Sequence, residues 1–235
     1  MIKNILIVGG NSGIGEACVK AFAENNRIFS LTRSGAVGSP IENVEYLSGD
    51  VHKNGLDYSF LPEQLDAVVY CPGTINLKPF SSLKAEDFEK DFKINVIGFI
   101  NTIRAAMPAL KRSNNASVIA FSTVAVSQGM NYHASVATAK GAVEGLIRSL
   151  AAEYAASGIR FNCIAPSLVN TPLARNLTKT PSKLEAISNR HPLNRIGEAD
   201  EIAGLVKYLV SDDASWMTGQ VLHLDGGLSS IKELT

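Results

Sequence analysis

The chain has little of what would tie it to a membrane, a nucleic acid or an oxidising compartment. It holds three cysteines in 235 residues, and Cys18, Cys71 and Cys163 lie far apart with neither C-x-x-C spacing nor a dense disulfide pattern. A reducing cytoplasm suits such cysteines, and no metal site is expected from them. No apolar run is long enough to span a bilayer. The N-terminal run Ile5-Leu6-Ile7-Val8 ends in glycines without a signal-peptide cleavage pattern. A cytoplasmic protein with no membrane partner is therefore expected. Charge of one sign is also lacking: Lys plus Arg and Asp plus Glu each number 22, so no overall field draws in a polyanion. Nucleic-acid binding has no electrostatic support.

Apolar residues make up 46% of the chain and charged ones 19%, enough for a sizeable core and too ordered a composition for disorder. Strand patterns fall near residues 27–32, 44–47, 67–70, 117–122, 159–164 and 220–224, after a first strand at 5–8. Helical patterns fall between most of them, chiefly at 14–25, 84–111, 135–156 and 198–210. Strands that read as continuous apolar runs are covered on both faces. Their alternation with helices predicts an α/β fold: a Rossmann-type, doubly wound parallel sheet in a single domain over residues 1–235. One crossover is curtailed. Residues 50–64 contain Gly55 and Pro62 and no sustained helical period, so a full helix there is doubtful.

Gly9-Gly10-Asn11-Ser12-Gly13-Ile14-Gly15 sits between the first strand and the first helix. Backbone N–H groups and the helix N-terminus converge there on an anion, and glycines let the chain approach it closely. A dinucleotide pyrophosphate fits that place. NAD-selective sites carry Asp or Glu at the end of the second strand, about 20 residues on, to hold the ribose hydroxyls. This chain reads Thr32-Arg33-Ser34 instead. A guanidinium pairs bidentately with a 2′-phosphate, which favours NADP over NAD. Arg33 as a plain surface charge is the competing reading.

At this point the chain resembles the short-chain dehydrogenase/reductase family along nearly its whole length. Gly9-x-x-x-Gly13-Ile14-Gly15 resembles the family's glycine motif, with Val8 where a threonine usually precedes it. Asp50-Val51 resembles the pair that contacts adenine, and Asn95 the helix asparagine of the catalytic tetrad. Segment 166–172, with Pro166, Leu168 and Thr171, resembles the part that closes over the nicotinamide, and Asp225-Gly226-Gly227 the terminal motif. The resemblance implies an NAD(P)-dependent oxidoreductase of a carbonyl or alcohol, similar to a 3-oxoacyl reductase.

Two departures accompany these matches. The family's Asn-Asn-Ala-Gly is here Tyr70-Cys71-Pro72-Gly73, so only the glycine remains at the cofactor's edge and the sheet-to-helix hydrogen bonding there is in question. The family's Tyr-x-x-x-Lys is here Val136-Ala137-Thr138-Ala139-Lys140. In the family the phenol gives or takes the substrate's proton, while the lysine lowers its pKa and binds the ribose. Valine does neither. The family's serine falls on Thr123, which keeps a hydroxyl able to polarise a carbonyl. Tyr132 and His133 precede Val136 by one helical turn, and either is a candidate replacement donor if the helix extends that far. His133 as a helix cap and Tyr132 as surface packing are the competing readings.

Residues 171–195 correspond to the family's mobile lid over the substrate. Arg175, Lys179, Lys183, Arg190 and Arg195 face only Glu185 there, a charge that would draw an acidic substrate, although a solvated basic helix reads the same way. Gly141, Gly145 and Ser149 form a stripe without bulk on one helix. In the family the long helices pair across a two-fold axis and the C-terminal segment helps build tetramers, so the resemblance implies a homodimer or homotetramer, with packing inside the monomer as the competing reading. Three functions stay open: an NADP-dependent oxidoreductase with an unusual proton source, a catalytically silent NADP-binding sensor or structural subunit, and a different reaction on the same scaffold.

Overall fold

The computed structural model describes residues 2–35, 39–53 and 55–232. Seven strands form one parallel sheet in the order β3-β2-β1-β4-β5-β6-β9. They are β1 (Asn4–Val8), β2 (Arg27–Thr32), β3 (Val44–Ser48), β4 (Ala67–Tyr70), β5 (Ala116–Phe121), β6 (Ile159–Pro166) and β9 (Val221–Leu224). The doubly wound sheet expected from the alternating pattern is the observed architecture.

Successive residues of a strand point to opposite faces, so each strand feeds two cores. Leu6, Val8, Val68 and Val118 join one cluster with Phe99, Ile103, Val143 and Ile147, which come from α3 (Gly98–Leu110) and α5 (Ala134–Tyr154). Ile5, Ile7, Val69 and Ile119 join the other with Val19, Phe22, Ile202 and Val206, from α1 (Gly13–Ala23) and α7 (Ala199–Val210). That two-faced burial is why β1, β4 and β5 read as unbroken apolar runs.

The connection from β3 to β4 carries no helix among the described residues. The single helical stretch expected over 84–111 is instead α2 (Ala85–Phe92), a π-helical turn at Lys93–Ile97, and α3. The reason is competition for carbonyls. Asn95 Nδ2 donates to Asp91 O at 2.8 Å, and the Tyr70 hydroxyl donates to Ile94 O at 2.7 Å. The ladder therefore slips by one residue, with Gly98 N–H reaching Lys93 O. Four short elements went unread in the sequence: α4 (Val124–Ser127), α6 (Pro181–Ser188), and the parallel pair β7 (Val169–Asn170) and β8 (Gly197–Glu198). The β7–β8 pair, a separate two-stranded sheet, ties the two ends of the 171–195 segment to each other.

Candidate functional site

Parallel sheets bind ligands beyond the carboxyl ends of their strands, where the strand order reverses. Here β1 lies between β2 and β4, and a cleft of about 540 Å³ opens above those three strands. Gly9, Asn11, Ser12, Gly13, Ile14 and Gly15 form one wall. Gly13 has φ +54°, and a Cβ on it would press on Thr171 at 3.2 Å. A Cβ on Gly15 would overlap the Gly9 carbonyl. Ser12 occupies the N-cap of α1 without spending its side chain on a cap hydrogen bond. The first-turn N–H groups of α1 thus face a cradle that side chains would fill, which is what a diphosphate requires.

At the far end, Arg33 and Ser34 line the cleft beyond β2. Arg33 is exposed, and Asn11 Nδ2 lies 3.5 Å from Ser34 Oγ, linking the glycine turn to that edge. Val51 lines the cleft, and Asp50 sits behind it, accepting from the backbone N–H and the ring Nδ1 of His52 at 3.0 Å each. Burial pushes the His52 pKa down, and Asp50 only partly opposes this. His52 and Ile94 are cleft residues that the sequence reading passed over. The signal was present, since each lies just past an expected strand or beside the tetrad-like asparagine.

The departures at β4 acquire a structural meaning. Tyr70 itself makes the sheet-to-helix bond that had been in question, through its hydroxyl to Ile94 O. Gly98 is needed for this, because a Cβ there would collide with the phenol oxygen. Cys71 and Pro72 wall the cleft, and the neighbouring Cys18 thiol of α1, together with burial, pushes the Cys71 thiol well up. Two cysteines far apart in sequence are therefore neighbours beneath the glycine turn.

Gly73 lines the cleft, and Lys140 and Asn95 are its close neighbours. A Cβ built on Gly73 would stand 3.4 Å from Lys140 Nζ and 3.5 Å from Asn95 Oδ1. Lys140 is 7% exposed and donates to Phe121 O at 2.9 Å. Desolvation brings its pKa down to about 8. Asn95 Oδ1 is buried with no partner among the described residues, while its Nδ2 is held by Asp91 O and by Thr74 Oγ1 at 3.1 Å. Thr123 begins α4, where its Oγ accepts from Ala125 N at 3.3 Å. Val136, one turn before Lys140 on α5, is 6% exposed and packs as a core residue.

Tyr132 and His133 are not on that helix. Helix α5 starts at Ala134, and Tyr132 has φ +70°, a left-handed conformation that breaks helical continuity. The Tyr132 carbonyl accepts from Lys78 N at 3.2 Å, and its side chain belongs to a residue 57% exposed. His133 holds the N-cap position without a side-chain cap bond, and its Nδ1 pairs with Asn131 O at 2.7 Å. The shared face with Val136 that the spacing suggested is thus not formed.

Beyond β6, Pro166 and Leu168 lead into Thr171, which lines the cleft with its Oγ donating to Val169 O at 3.3 Å. In the segment that follows, Arg195 is bidentate to Glu201 at 2.6 and 2.8 Å, and this holds the Glu201 carboxyl down at about 2. Its charge is spent on α7. The basic excess over 171–195 is smaller than counting suggests, with Arg175, Lys179, Lys183 and Arg190 against Glu185.

Fold and cleft together define a dinucleotide-binding protein of the Rossmann type. Comparison with known proteins narrows this. A family model described as enoyl-(acyl carrier protein) reductase matches residues 58–229. The chain is 30% identical to a glucose 1-dehydrogenase of Gluconobacter oxydans over 97% of its own length and 92% of that protein's. It is also 30% identical to a 3-oxoacyl-[acyl-carrier-protein] reductase of Thermotoga maritima, covering 96% and 97% respectively. The solved structure of ElxO with NADP bound superimposes with a TM-score of 0.86 at 25% identity, covering 98% of this chain and all of that one. The chain belongs to the short-chain dehydrogenase/reductase family, whose members among these relatives are oxidoreductases.

Proposed function

We propose that the protein is an NADP-preferring oxidoreductase acting on a small carbonyl or alcohol substrate, similar to a 3-oxoacyl reductase, with a proton source other than residue 136. The observation that carries this reading is the buried ammonium of Lys140 beneath the cleft floor. Burying a cation is costly and does nothing for packing, so a chain kept only for its fold has little use for it.

In this reading the turn from Gly9 to Gly15 holds the diphosphate, with Asn11 and Ser12 beside it. Arg33 and Ser34 take the 2′-phosphate, which favours NADP without barring NAD. Asp50 and Val51 bound the adenine end, and Gly73 and Lys140 the nicotinamide ribose. Pro166, Leu168 and Thr171 bound the nicotinamide. The dinucleotide, when bound, supplies a hydride to the substrate carbon. Thr123 orients the carbonyl oxygen, and Asn95 supports Lys140. Support for NADP comes from Arg33 and from the NADP held by ElxO.

The remaining excess of cations over 171–195 suits a substrate with an acidic group. Three free thiols suit a reducing cytoplasm. A Cβ on Gly141 would stand 3.7 Å from Val126, whereas Gly145 has no atom of another element within 4 Å of where its Cβ would stand, so the stripe is open at Gly145 for a second copy in a homodimer or homotetramer. The silent-sensor reading rests on Val136, which has no proton to give. Fluorescence titration with NADPH and NADH, followed by oxidation of bound NADPH with a panel of acidic and neutral ketones, separates the two. Tight binding with no turnover on any ketone would leave the sensor.

A further inference from the structure

Reduction of a carbonyl needs a proton as well as a hydride, and the residues around the cleft floor offer few sources. Val136 has none. Tyr70 is held to Ile94 O, and burial pushes its phenol far above the usual range. The Cys71 thiol is likewise pushed well up. His52 lies at the adenine end with Nδ1 committed to Asp50. His133 is bonded back to its own loop, and Tyr132 is mostly in solvent.

We propose that the Lys140 ammonium is itself the acid that protonates the substrate oxygen, the task a tyrosine on α5 would otherwise perform. The inference rests on the oxidoreductase reading above. Geometry supports it in three ways. Nζ lies 3.4 Å from where a Cβ on Gly73, a cleft-lining residue, would stand. Phe121 O engages one of its three N–H groups, and no other hydrogen bond to Nζ is made among the described residues. The valine one turn earlier is far smaller than a tyrosine, so α5 puts no phenol between Lys140 and an incoming carbonyl. Asn95 Oδ1, buried and unpartnered beside the same point, offers an acceptor for a second N–H.

The chemistry balances. The carbonyl carbon gains the hydride as the reduced nicotinamide becomes oxidised. The oxygen gains a proton as one Nζ–H bond breaks, directly or through one water, and the resulting amine recovers its proton from solvent. The acid strength is suitable: desolvation brings Lys140 to about 8, with Cys163 on β6, Cys71 after β4 and Asp91 on α2 facing it and working in the other direction. An acid of that strength is mostly charged at neutral pH yet gives its proton readily.

Lys140→Arg is the central variant, because it keeps the positive charge but holds its proton at any working pH. In ¹⁵N-lysine spectra of the protein without nucleotide, one amine is expected to titrate near pH 8 and to be missing from Lys140→Arg. At saturating NADPH, the variant's kcat is expected to fall by about 10²–10⁴. Wild-type kcat for reduction should fall as the pH rises past 8. In Lys140→Ala, added primary amines should restore turnover to a degree that tracks the amine pKa, a dependence no structural role produces. Turnover in Lys140→Arg within tenfold of the wild type would overturn this inference alone, as would its survival there beside its loss in His133→Ala/Tyr132→Phe. No NADPH binding by the wild type would overturn the oxidoreductase reading itself, and binding with no turnover would overturn both.

Discussion

Between pH 7 and pH 10 the folded protein should gain about 2–3 kcal/mol of stability relative to a Lys140→Met variant. The unfolded lysine titrates at 10.5 and the folded one at about 8. Between those values the unfolded chain binds the extra proton and the folded chain does not, so unfolding takes up protons and stability rises with pH. Below pH 8 both states are charged, and the folded state carries the full cost of a buried cation. At about 1.4 kcal/mol per pKa unit that cost is roughly 3 kcal/mol, most of which is relieved by pH 10. Methionine has similar reach and no charge. Its loss of the bond to Phe121 O costs about 1–3 kcal/mol, but that cost does not vary with pH and drops out of the comparison. Urea unfolding of both proteins at pH 7, 8, 9 and 10, with a common m-value, reads the difference directly. A gap between them constant to within about 0.5 kcal/mol would refute the burial argument, since it would mean that Nζ is solvated in the folded state.

Arg33→Ala is expected to weaken NADPH about ten- to a hundredfold and NADH by less than threefold, because a charge-assisted pair with a 2′-phosphate contributes roughly 1.5–3 kcal/mol; equal losses for the two nucleotides in fluorescence titration would remove Arg33 from cofactor choice. Tyr70→Phe should cost about 1–3 kcal/mol in urea unfolding by leaving Ile94 O without its partner in the π-helical turn. An unchanged midpoint would show that the carbonyl finds another donor. His52 should lower stability as the pH falls: its folded pKa is depressed below 6.5 by burial, so from about pH 6.5 downward the unfolded chain takes up a proton that the folded one resists. Replacement by glutamine should flatten that part of the stability profile between pH 7 and pH 5, and a profile as steep as the wild type's would count against the assignment.

The strands and most helices were legible because their signals are local. A parallel strand covered on both faces must be apolar at successive residues, and Ile5-Leu6-Ile7-Val8 shows this without reference to anything else. The glycine turn was legible for a similar reason, since a strand, a run of glycines and a helix in that order have few other uses. The absence of a helix between β3 and β4 followed from Gly55 and Pro62. What lay outside such patterns was missed. The two-residue strands β7 and β8 are too short for any period. The π-helical turn depends on Tyr70, which is 24 residues away from Ile94.

The sequence by itself determined that this chain would form a doubly wound sheet with a glycine-rich turn after its first strand, because periodicity and backbone permissiveness are properties of neighbouring residues. It also carried the expectation, from the family resemblance, that Val136 stands at the place of a proton donor. Only the tertiary structure decided how the site is arranged. It placed Tyr132 off the helix, set Arg195 against Glu201, joined Cys18 to Cys71, and buried Lys140 under Gly73. The physical reason is that desolvation and charge pairing depend on what surrounds a group in space. A lysine four residues after a valine has an ordinary pKa until β4, β5 and β6 close around it and remove the water.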